Sequence, residues 1–191
     1  YQCSQSKVIL APSYMICNID YNEAIKYHEN HDGDITIIYK KTDNSRNSFL
    51  GCDVLNIDGD KRVISVGENI GIDSTNNISM EMFIMEKETM INIIHKAVKS
   101  GNCNSLKQAI YKEVNNLKVM AYEFKGYLQC INSVNSFYRT SMDMLDMKIR
   151  TELFFNKGPI YTKVKDESPT KYSDYSKVSN SLIASGCVIE G

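Results

Sequence analysis

Two short apolar runs on either side of a helical segment organise the start of the chain. The runs Lys7–Pro12 (KVILAP) and Asp34–Tyr39 (DITIIY) are typical of strands buried on both faces. Between them, Tyr21–His31 has helical spacing, with Asp20 at the N-cap position and Glu23 placed to complete a capping box. A strand, a helix and a strand within about 30 residues predict a βαβ unit with parallel strands.

Turn residues and alternation predict three further strands. Phe49–Ile57 and Arg62–Val66 flank Asp58-Gly59-Asp60, a combination that indicates a hairpin. The segment Ile78–Met85 alternates as a strand does. One of its faces carries Ile78, Met80, Met82 and Ile84, and the other carries Ser79, Glu81 and Phe83. The polar segments Lys40–Ser48 and Gly67–Asn77 predict loops.

Helical periodicity dominates the second half of the chain. Apolar residues recur at helical spacing in Lys87–Lys99 and in Ser105–Val114. The stretch Ala121–Ser133 has two strand-like runs joined by Lys125-Gly126, and a helical pattern follows, so we expect a strand end at the mouth of an α/β sheet, where such folds place their chemistry. In the helix that starts at Ser133, an apolar stripe predicts a core-facing side. That stripe consists of Val134, Phe137, Tyr138, Ser141 and Leu145.

The C-terminal region has a different pattern. Residues 157–177 contain two prolines and no apolar period, which predicts an extended linker. In residues 178–191, Leu182 recurs as Val188 and Ile183 recurs as Ile189, a period of six that is typical of parallel β-helices. We therefore predict one α/β domain over residues 1–156, a linker, and the first coil of a β-helix.

Composition and charge narrow the function classes. The chain is 42% hydrophobic and carries 22 basic and 23 acidic residues without a basic stripe, so nucleic acid is not an expected partner. No apolar run approaches a membrane span, and no membrane association is expected. The six cysteines lack paired spacing, which favours reduced thiols in a cytoplasmic protein. His28 and His31 are three residues apart, but we interpret both as packed or solvated and predict no metal site.

Three segments, in order, resemble the sugar-nucleotide pyrophosphorylases, and most closely the bacterial glucose-1-phosphate adenylyltransferases. Ser13–Tyr21 (SYMICNIDY) is similar to their GDHIYKMDY segment. Ser79–Met85 (SMEMFIM) is similar to SMGIYVF, and Ala121–Ser133 (AYEFKGYLQCINS) to AYEFKGYWRDVGT. The tail NSLIASGCVIEG resembles the first coil of that family's C-terminal β-helix. The chain begins at Tyr1 without the family's glycine-rich nucleotide loop, so we expect it to be a fragment lacking the N-terminal part.

The resemblance implies a fold and an activity. The fold is a Rossmann-like, GT-A-like nucleotidyltransferase domain with a mixed sheet, incomplete at its N-terminus and followed by the start of a left-handed parallel β-helix. The family joins ATP and glucose 1-phosphate into ADP-glucose and pyrophosphate, using Mg²⁺, for glycogen synthesis. Such a reaction brings two anions together, so it needs carboxylates for the metal and basic side chains for the phosphates.

This chain departs from the family at the residues that carry charge. The acidic residue of GDH falls on Tyr14, and the second metal-binding carboxylate, in DVGT, falls on Cys130. In the family's EKP motif, the glutamate is kept as Glu68 while the lysine is replaced by Asn69. A phenol and a thiol are poor ligands for Mg²⁺, so we predict that this chain binds no metal cofactor.

Other substrate positions are kept in part. The serine of the SMG segment is kept as Ser79, and the glycine two residues on becomes Glu81, which adds negative charge where a phosphate is expected. Together with Glu68, the residues Ser79 and Tyr127 are candidates for a vestigial substrate site.

The pattern of losses favours a non-catalytic or regulatory subunit. Residues that shape the fold are kept, whereas residues that bind metal and phosphate are replaced. The family contains such a type, the GlgD-type subunit, which assembles with the active adenylyltransferase. The resemblance therefore implies a catalytic subunit as partner, in a homo- or hetero-oligomer.

Two alternatives stay open. One is an active nucleotidyltransferase with a rearranged site, in which Glu123, Asp143 and Asp146 would replace the lost carboxylates. The other is a small α/β module that binds a sugar phosphate or a nucleotide. A nucleophilic Cys130 belongs to this second alternative, but no activating base is near it in the sequence, and a buried thiol is the simpler interpretation.

Overall fold

A computed structural model describes residues 4–43, 49–73, 75–101, 104–158, 160–161 and 166–191. The chain divides into two compact units, Tyr1–Cys130 and Ile131–Gly191. Residues 44–48 of the loop predicted at Lys40–Ser48, and residues 159 and 162–165 of the predicted linker, lie outside the described residues. So do Cys3 and Cys103.

The first unit contains eight described strands and three helices. These are β1 (Lys7–Leu10), β2 (Met15–Ile16), α1 (Tyr21–His31), β3 (Ile35–Thr42), β4 (Asp53–Ile57), β5 (Val63–Glu68), β6 (Asn76–Glu86), α2 (Lys87–Ser100), α3 (Leu106–Lys112), β7 (Val119–Glu123) and β8 (Gln129–Cys130). The second unit contains α4 (Val134–Asp143), α5 (Met147–Phe154), β9 (Lys171–Tyr172) and β10 (Val188–Ile189).

Strand β6 is the centre of a mixed six-stranded sheet. The order is β5-β4-β6-β3-β7, and β1 also pairs with β6. One edge of β6 carries β3 along its length, while the other carries β4 near Ile78 and β1 from Phe83 to Glu86. Because β1 and β3 are both antiparallel to β6, they run parallel to each other, as the βαβ pattern predicts. Strand β6 lies between them, and β7 pairs parallel to β3 on the far side.

Alternation along β6 supplies two hydrophobic clusters, one for each face of the sheet. Ile78, Met80, Met82 and Ile84 pack with Ala24 of α1, which confirms the predicted face. Phe83 and Met85 pack in the other cluster with side chains from α2 and α3. Ile35, Ile37 and Ile38 of β3 are fully buried, also as expected. Within the described residues, no helix combines the length and the apolar character that crossing a bilayer requires.

Three local expectations are wrong. The side chain of Asp20 caps α1 by accepting from the Asn22 amide, but Glu23 accepts from the Tyr122 hydroxyl at 3.4 Å instead of completing a capping box. Strand β1 is only half-buried, because it lies at the sheet margin. Strand β4 begins at Asp53, since the left-handed backbone of Phe49, with a φ of 58°, turns the chain first.

The apolar stripe of α4 is not in a core. Val134, Phe137 and Tyr138 are 87%, 58% and 61% exposed, respectively. Helical spacing does place them on one side, but a period in the sequence carries no information on what covers that side. The prediction of a core-facing stripe is therefore wrong for the part of the chain that the structure describes.

The tail forms a short parallel sheet. Val188 and Ile189 of β10 lie opposite Lys171 and Tyr172 of β9. The Lys171 amide donates to the Cys187 carbonyl at 2.9 Å, and just before these residues the Gly186 amide donates to the Ser168 carbonyl at 2.7 Å. Strand β9 lies within the segment predicted as a linker, and the boundaries at residues 156 and 177 stay predictions.

We expect Ile38→Ala to lower the free energy of unfolding by about 2–5 kcal/mol, because it leaves a cavity in the fully buried centre of the sheet. The matched control is Ile64→Ala in β5, whose side chain is 53% exposed and should cost less than about 0.5 kcal/mol. Urea unfolding at equilibrium measures both. Equal losses would contradict the assignment of Ile38 to the core.

A second expectation concerns pH and His28. The imidazole is buried and lies 2.8 Å from the Thr36 hydroxyl. Burial lowers the pKa of His28 below its usual value, although carboxylates nearby oppose the shift. The charged groups around it are Lys7, Glu29, Asp34 and Glu86.

Because the folded chain holds a proton on His28 less readily than the unfolded chain does, this residue stabilises the fold above a pH of about 6.5. That stability is lost as the pH falls through the lower, folded pKa. We expect His28→Gln to flatten the dependence of unfolding free energy on pH between about 7 and 5. The exposed His95→Gln is the control and should keep the wild-type slope. An unchanged slope in His28→Gln would refute this role.

Candidate functional site

The two positions that resemble metal-ligand positions meet in space. Strand β2 pairs with β8 in a separate two-stranded sheet, with Met15 directly opposite Cys130. Tyr14 precedes Met15 and lies close enough to Cys130 to interact with it electrostatically. Segments more than 100 residues apart therefore converge within the first unit.

Neither of these two positions carries a carboxylate. Burial and a hydrogen bond to the Glu81 carboxylate raise the pKa of Tyr14 above its usual value, so the phenol keeps its proton and donates it. The Cys130 thiol is 3% exposed and shares a hydrogen bond with Cys52, which is also buried. That hydrogen bond, together with burial, raises the pKa of Cys52, and the same hydrogen bond lowers the pKa of Cys130 below its usual value. This corner of the site is a phenol beside two thiols.

A lysine between two carboxylates forms the charged part of the site. The Lys107 ammonium lies 3.0 Å from a carboxylate oxygen of Glu81 and 2.9 Å from one of Asp53. The carboxylate side chains are 11% and 19% exposed, whereas Lys107 reaches solvent with about a third of its side chain. Two negative charges and one positive charge are thus held within a few ångströms of each other. We call these three side chains the lysine bridge.

A bulge in β6 turns Glu81 toward this lysine. The pairing of β3 with β6 shifts between Ile38, which lies opposite Met82, and Tyr39, which lies opposite Ser79. Two residues of β6, Met80 and Glu81, are therefore extra in the ladder. Glu81 has a φ of 54°, in the left-handed region that costs a residue with a side chain about 1–2 kcal/mol.

Ser79 has its hydroxyl engaged within the protein. The side chain is fully buried, its oxygen accepts from the Glu81 amide at 3.1 Å, and it lies 2.9 Å from the Tyr111 hydroxyl. Burial raises the pKa of Tyr111, so this second phenol also stays protonated. The Tyr111 ring packs edge-on against Phe83, which anchors α3 to β6. Ser79, the serine of the predicted substrate site, therefore stabilises the bulge in β6 through its hydroxyl.

Asn69 has a structural part as well. Its side-chain amide donates to the Phe49 carbonyl at 3.0 Å, and its side-chain oxygen accepts from the Gly71 amide at 3.1 Å. The residue is 3% exposed and ties the turn before β4 to the turn after β5. Glu68 is exposed at the end of β5, opposite Asp53, and Tyr127 is half-buried between β7 and β8.

Two of the alternative carboxylates can each be placed within their own unit. Asp146 caps α5 by accepting from the Lys148 amide at 2.7 Å, and Glu123 is exposed at the end of β7. Among the described residues, no group of three histidine, cysteine or acidic side chains is arranged to hold a metal ion. His31 contacts the Tyr27 carbonyl through its ring nitrogen. The packed interpretation of His28 is confirmed by its burial.

Sequence reasoning missed Asp53, Lys107, Tyr111 and the Cys52 thiol. One signal was available, because Glu81 lies within a strand whose neighbours are buried, and a carboxylate there requires a cationic partner. That signal does not identify the partner. Lys107 lies on a helix 26 residues further along the chain, and only the packing of α3 on the sheet brings it close.

We expect Lys107→Met to lower the free energy of unfolding by about 2–4 kcal/mol, since it leaves two poorly solvated carboxylates without their shared cation. Lys7→Met is the matched control. Lys7 also bridges two carboxylates, Glu29 and Glu86, but these are about half exposed, so the control should be nearly neutral. Chemical unfolding measures the free energy of unfolding of both variants. Similar losses in the two would mean that the lysine bridge contributes no more to stability than the exposed ion pairs of Lys7.

The sequence is similar to proteins of two kinds, the GlgD glycogen biosynthesis proteins and the glucose-1-phosphate adenylyltransferases. The chain is 29% identical over its full length to the glycogen biosynthesis protein GlgD of Bacillus subtilis, and 32% identical over 98% of its length to GlgD of Geobacillus stearothermophilus. It is 25% identical over 92% of its length to the glucose-1-phosphate adenylyltransferase of Mycoplasma mobile. The chain spans less than half the length of these curated relatives, between 44% and 46%. No family model matches the sequence.

A solved structure supports the fold. The crystal structure of HddC from Yersinia pseudotuberculosis, complexed with GMP-PN, superposes with a TM-score of 0.53 and 22% identity. The match covers 71% of this chain and 54% of HddC, and it bears on the fold alone. By its sequence relationships, the chain is a homologue of the GlgD glycogen biosynthesis proteins and of the glucose-1-phosphate adenylyltransferases.

Proposed function

We propose that this chain belongs to a non-catalytic or regulatory subunit of glucose-1-phosphate adenylyltransferase, and that it acts in glycogen biosynthesis. The partner is a catalytic subunit that makes ADP-glucose and pyrophosphate from ATP and glucose 1-phosphate. The observation that carries this proposal is the convergence of Tyr14 and Cys130, because the positions that resemble metal-ligand positions come together without a carboxylate at either one.

The chemistry of the site does not fit Mg²⁺. This ion requires hard oxygen ligands in near-octahedral geometry, and usually at least one carboxylate. A protonated phenol and a buried thiol supply neither the charge nor the ligand type. Asp53 and Glu81 are carboxylates, but both are already engaged in ion pairs with Lys107. We infer that the active members of the family supply the metal site and that this chain does not.

The charge of the site is also unfavourable for anionic substrates. The lysine bridge has a net charge of −1, and the lysine expected in the EKP motif is the amide Asn69, which is engaged with Phe49 and Gly71. Loss of preorganised positive charge at a phosphoryl-transfer site costs orders of magnitude in rate. The chain contributes to an oligomer as a folded subunit, and its rate of chemistry is negligible.

The fold that we propose is a GT-A-like nucleotidyltransferase domain followed by the start of a β-helix. The mixed sheet and the similarity to HddC support the first part. The parallel pairing of β9 with β10, at an offset of 17 residues, supports a coil that returns beside itself. Gly186, with a φ of 80°, provides the left-handed corner between them. The left hand of the coil rests on the family resemblance, as does a cytoplasmic location.

The test is to express the protein as it is encoded and to measure ADP-glucose formation with Mg²⁺, ATP and glucose 1-phosphate. Alone, we expect a rate at least about a thousandfold below that of a catalytic adenylyltransferase, because the electrostatic groups are missing. Mixed with a catalytic subunit of the same organism, it should co-elute with that subunit and change its kinetic constants. The control is the catalytic subunit alone at the same concentration.

Two outcomes would contradict the proposal. Strong, Mg²⁺-dependent turnover by this protein alone would instead support an active enzyme with a rearranged site. Separate elution, with unchanged kinetics of the catalytic subunit, would favour an independent sugar-phosphate or nucleotide-binding module.

A further inference from the structure

The Glu81 carboxylate lies in surroundings that would suit a bound anion. It accepts from the Lys107 ammonium at 3.0 Å and from the Tyr14 hydroxyl, and its side chain is only 11% exposed. An ammonium and a hydroxyl donate here to one point that is largely shielded from water. Proteins use such donors to bind carboxylates and phosphates. Here the oxyanion comes from the chain itself.

The backbone at this position does not favour a glutamate. Its φ of 54° lies in the left-handed region, which glycine adopts without strain and other residues adopt at a cost. The similar family segment has glycine at this point, two residues after the serine equivalent to Ser79. The strained conformation persists because surrounding contacts hold it, and the contact with Lys107 is charged.

We propose that Glu81 occupies an oxyanion-binding site of this chain from within, and that removal of its side chain opens the site to a small external oxyanion such as phosphate. Lys107 and Tyr14 are the groups that would hold this ligand. Glu81 is thereby the residue that determines whether the site accepts an anion.

The charges around Lys107 predict how the affinity for phosphate changes from one variant to the next. With Glu81 and Asp53 both present, the lysine bridge has a net charge of −1 and repels an anion. Removing Glu81 brings the net charge to zero, and also neutralising Asp53 leaves the lysine charge unopposed. The hydroxyls of Tyr14 and Tyr111 nearby keep their protons, because burial raises the pKa of both, and they add no charge. Affinity for phosphate should therefore rise in two steps.

This inference goes beyond the proposed function and does not depend on it, because every contact that it uses lies within the first unit. A wild-type protein that formed ADP-glucose would contradict the proposed function. It would not change the expected order of phosphate affinities among variants of Glu81.

The experiment is an isothermal calorimetric titration with inorganic phosphate at constant ionic strength. It is carried out on four proteins. Wild type should show no saturable binding. Glu81→Gly should bind with a dissociation constant in the millimolar range, and the double variant Glu81→Gly with Asp53→Asn should bind about tenfold tighter. Glu81→Gly combined with Lys107→Gln should lose binding, because the cation is gone.

Stability provides a second readout that does not involve a ligand. Glu81→Gly and Glu81→Ala both remove the carboxylate, but only glycine fits the left-handed backbone without strain. Glu81→Gly should therefore melt at a higher temperature than Glu81→Ala. The reverse order, or a Glu81→Gly protein that does not fold, would contradict the backbone argument.

The binding results can overturn the proposal directly. It fails if the variant lacking both carboxylates, folded by near-ultraviolet circular dichroism, binds phosphate no better than wild type. It also fails if phosphate binding persists after Lys107→Gln, since the site would then lie elsewhere.

Discussion

The ion pairs that Lys107 makes with Glu81 and Asp53 are the interaction on which the geometry of the candidate site depends. The bulge in β6 directs a carboxylate into a region that is largely shielded from water. An unpaired charge at such a depth costs several kcal/mol, so the bulge in its present form requires a cation. Helix α3 supplies that cation, and the contact of Tyr111 with Phe83 keeps α3 in place. The sheet, the bulge and α3 are therefore coupled through one lysine.

This coupling holds together a candidate site whose charges differ from those that the family resemblance implies. Strands β2 and β8 bring Tyr14 to Cys130, and the Ser79 hydroxyl stabilises the bulge in β6. Compared with the family segments that the sequence resembles, Tyr14 and Cys130 stand in place of carboxylates, and Glu81 stands in place of a glycine. A folded domain with these features suits a protein whose contribution is made through assembly, which is the function we propose.

Much of the fold could be predicted because its signals are local. The βαβ unit, the hairpin at Asp58–Asp60 and the two faces of β6 follow from apolar periods and turn residues within short windows. The exposed stripe of α4 and the partner of Glu23 were missed because both depend on neighbours that the local pattern does not specify. Lys107 was missed for the same reason, whereas Tyr14 and Cys130 could be related to each other only through a family resemblance.

The most direct measurement is a crystal structure of this protein grown with Mg²⁺, ATP and glucose 1-phosphate. The account requires the Lys107 ammonium within hydrogen-bond distance of both Glu81 and Asp53, Glu81 in the left-handed conformation, and neither a metal between Tyr14 and Cys130 nor a phosphate on Lys107. A metal ion bound at Tyr14 and Cys130, or a phosphate held by Lys107 with Glu81 turned away, would contradict it.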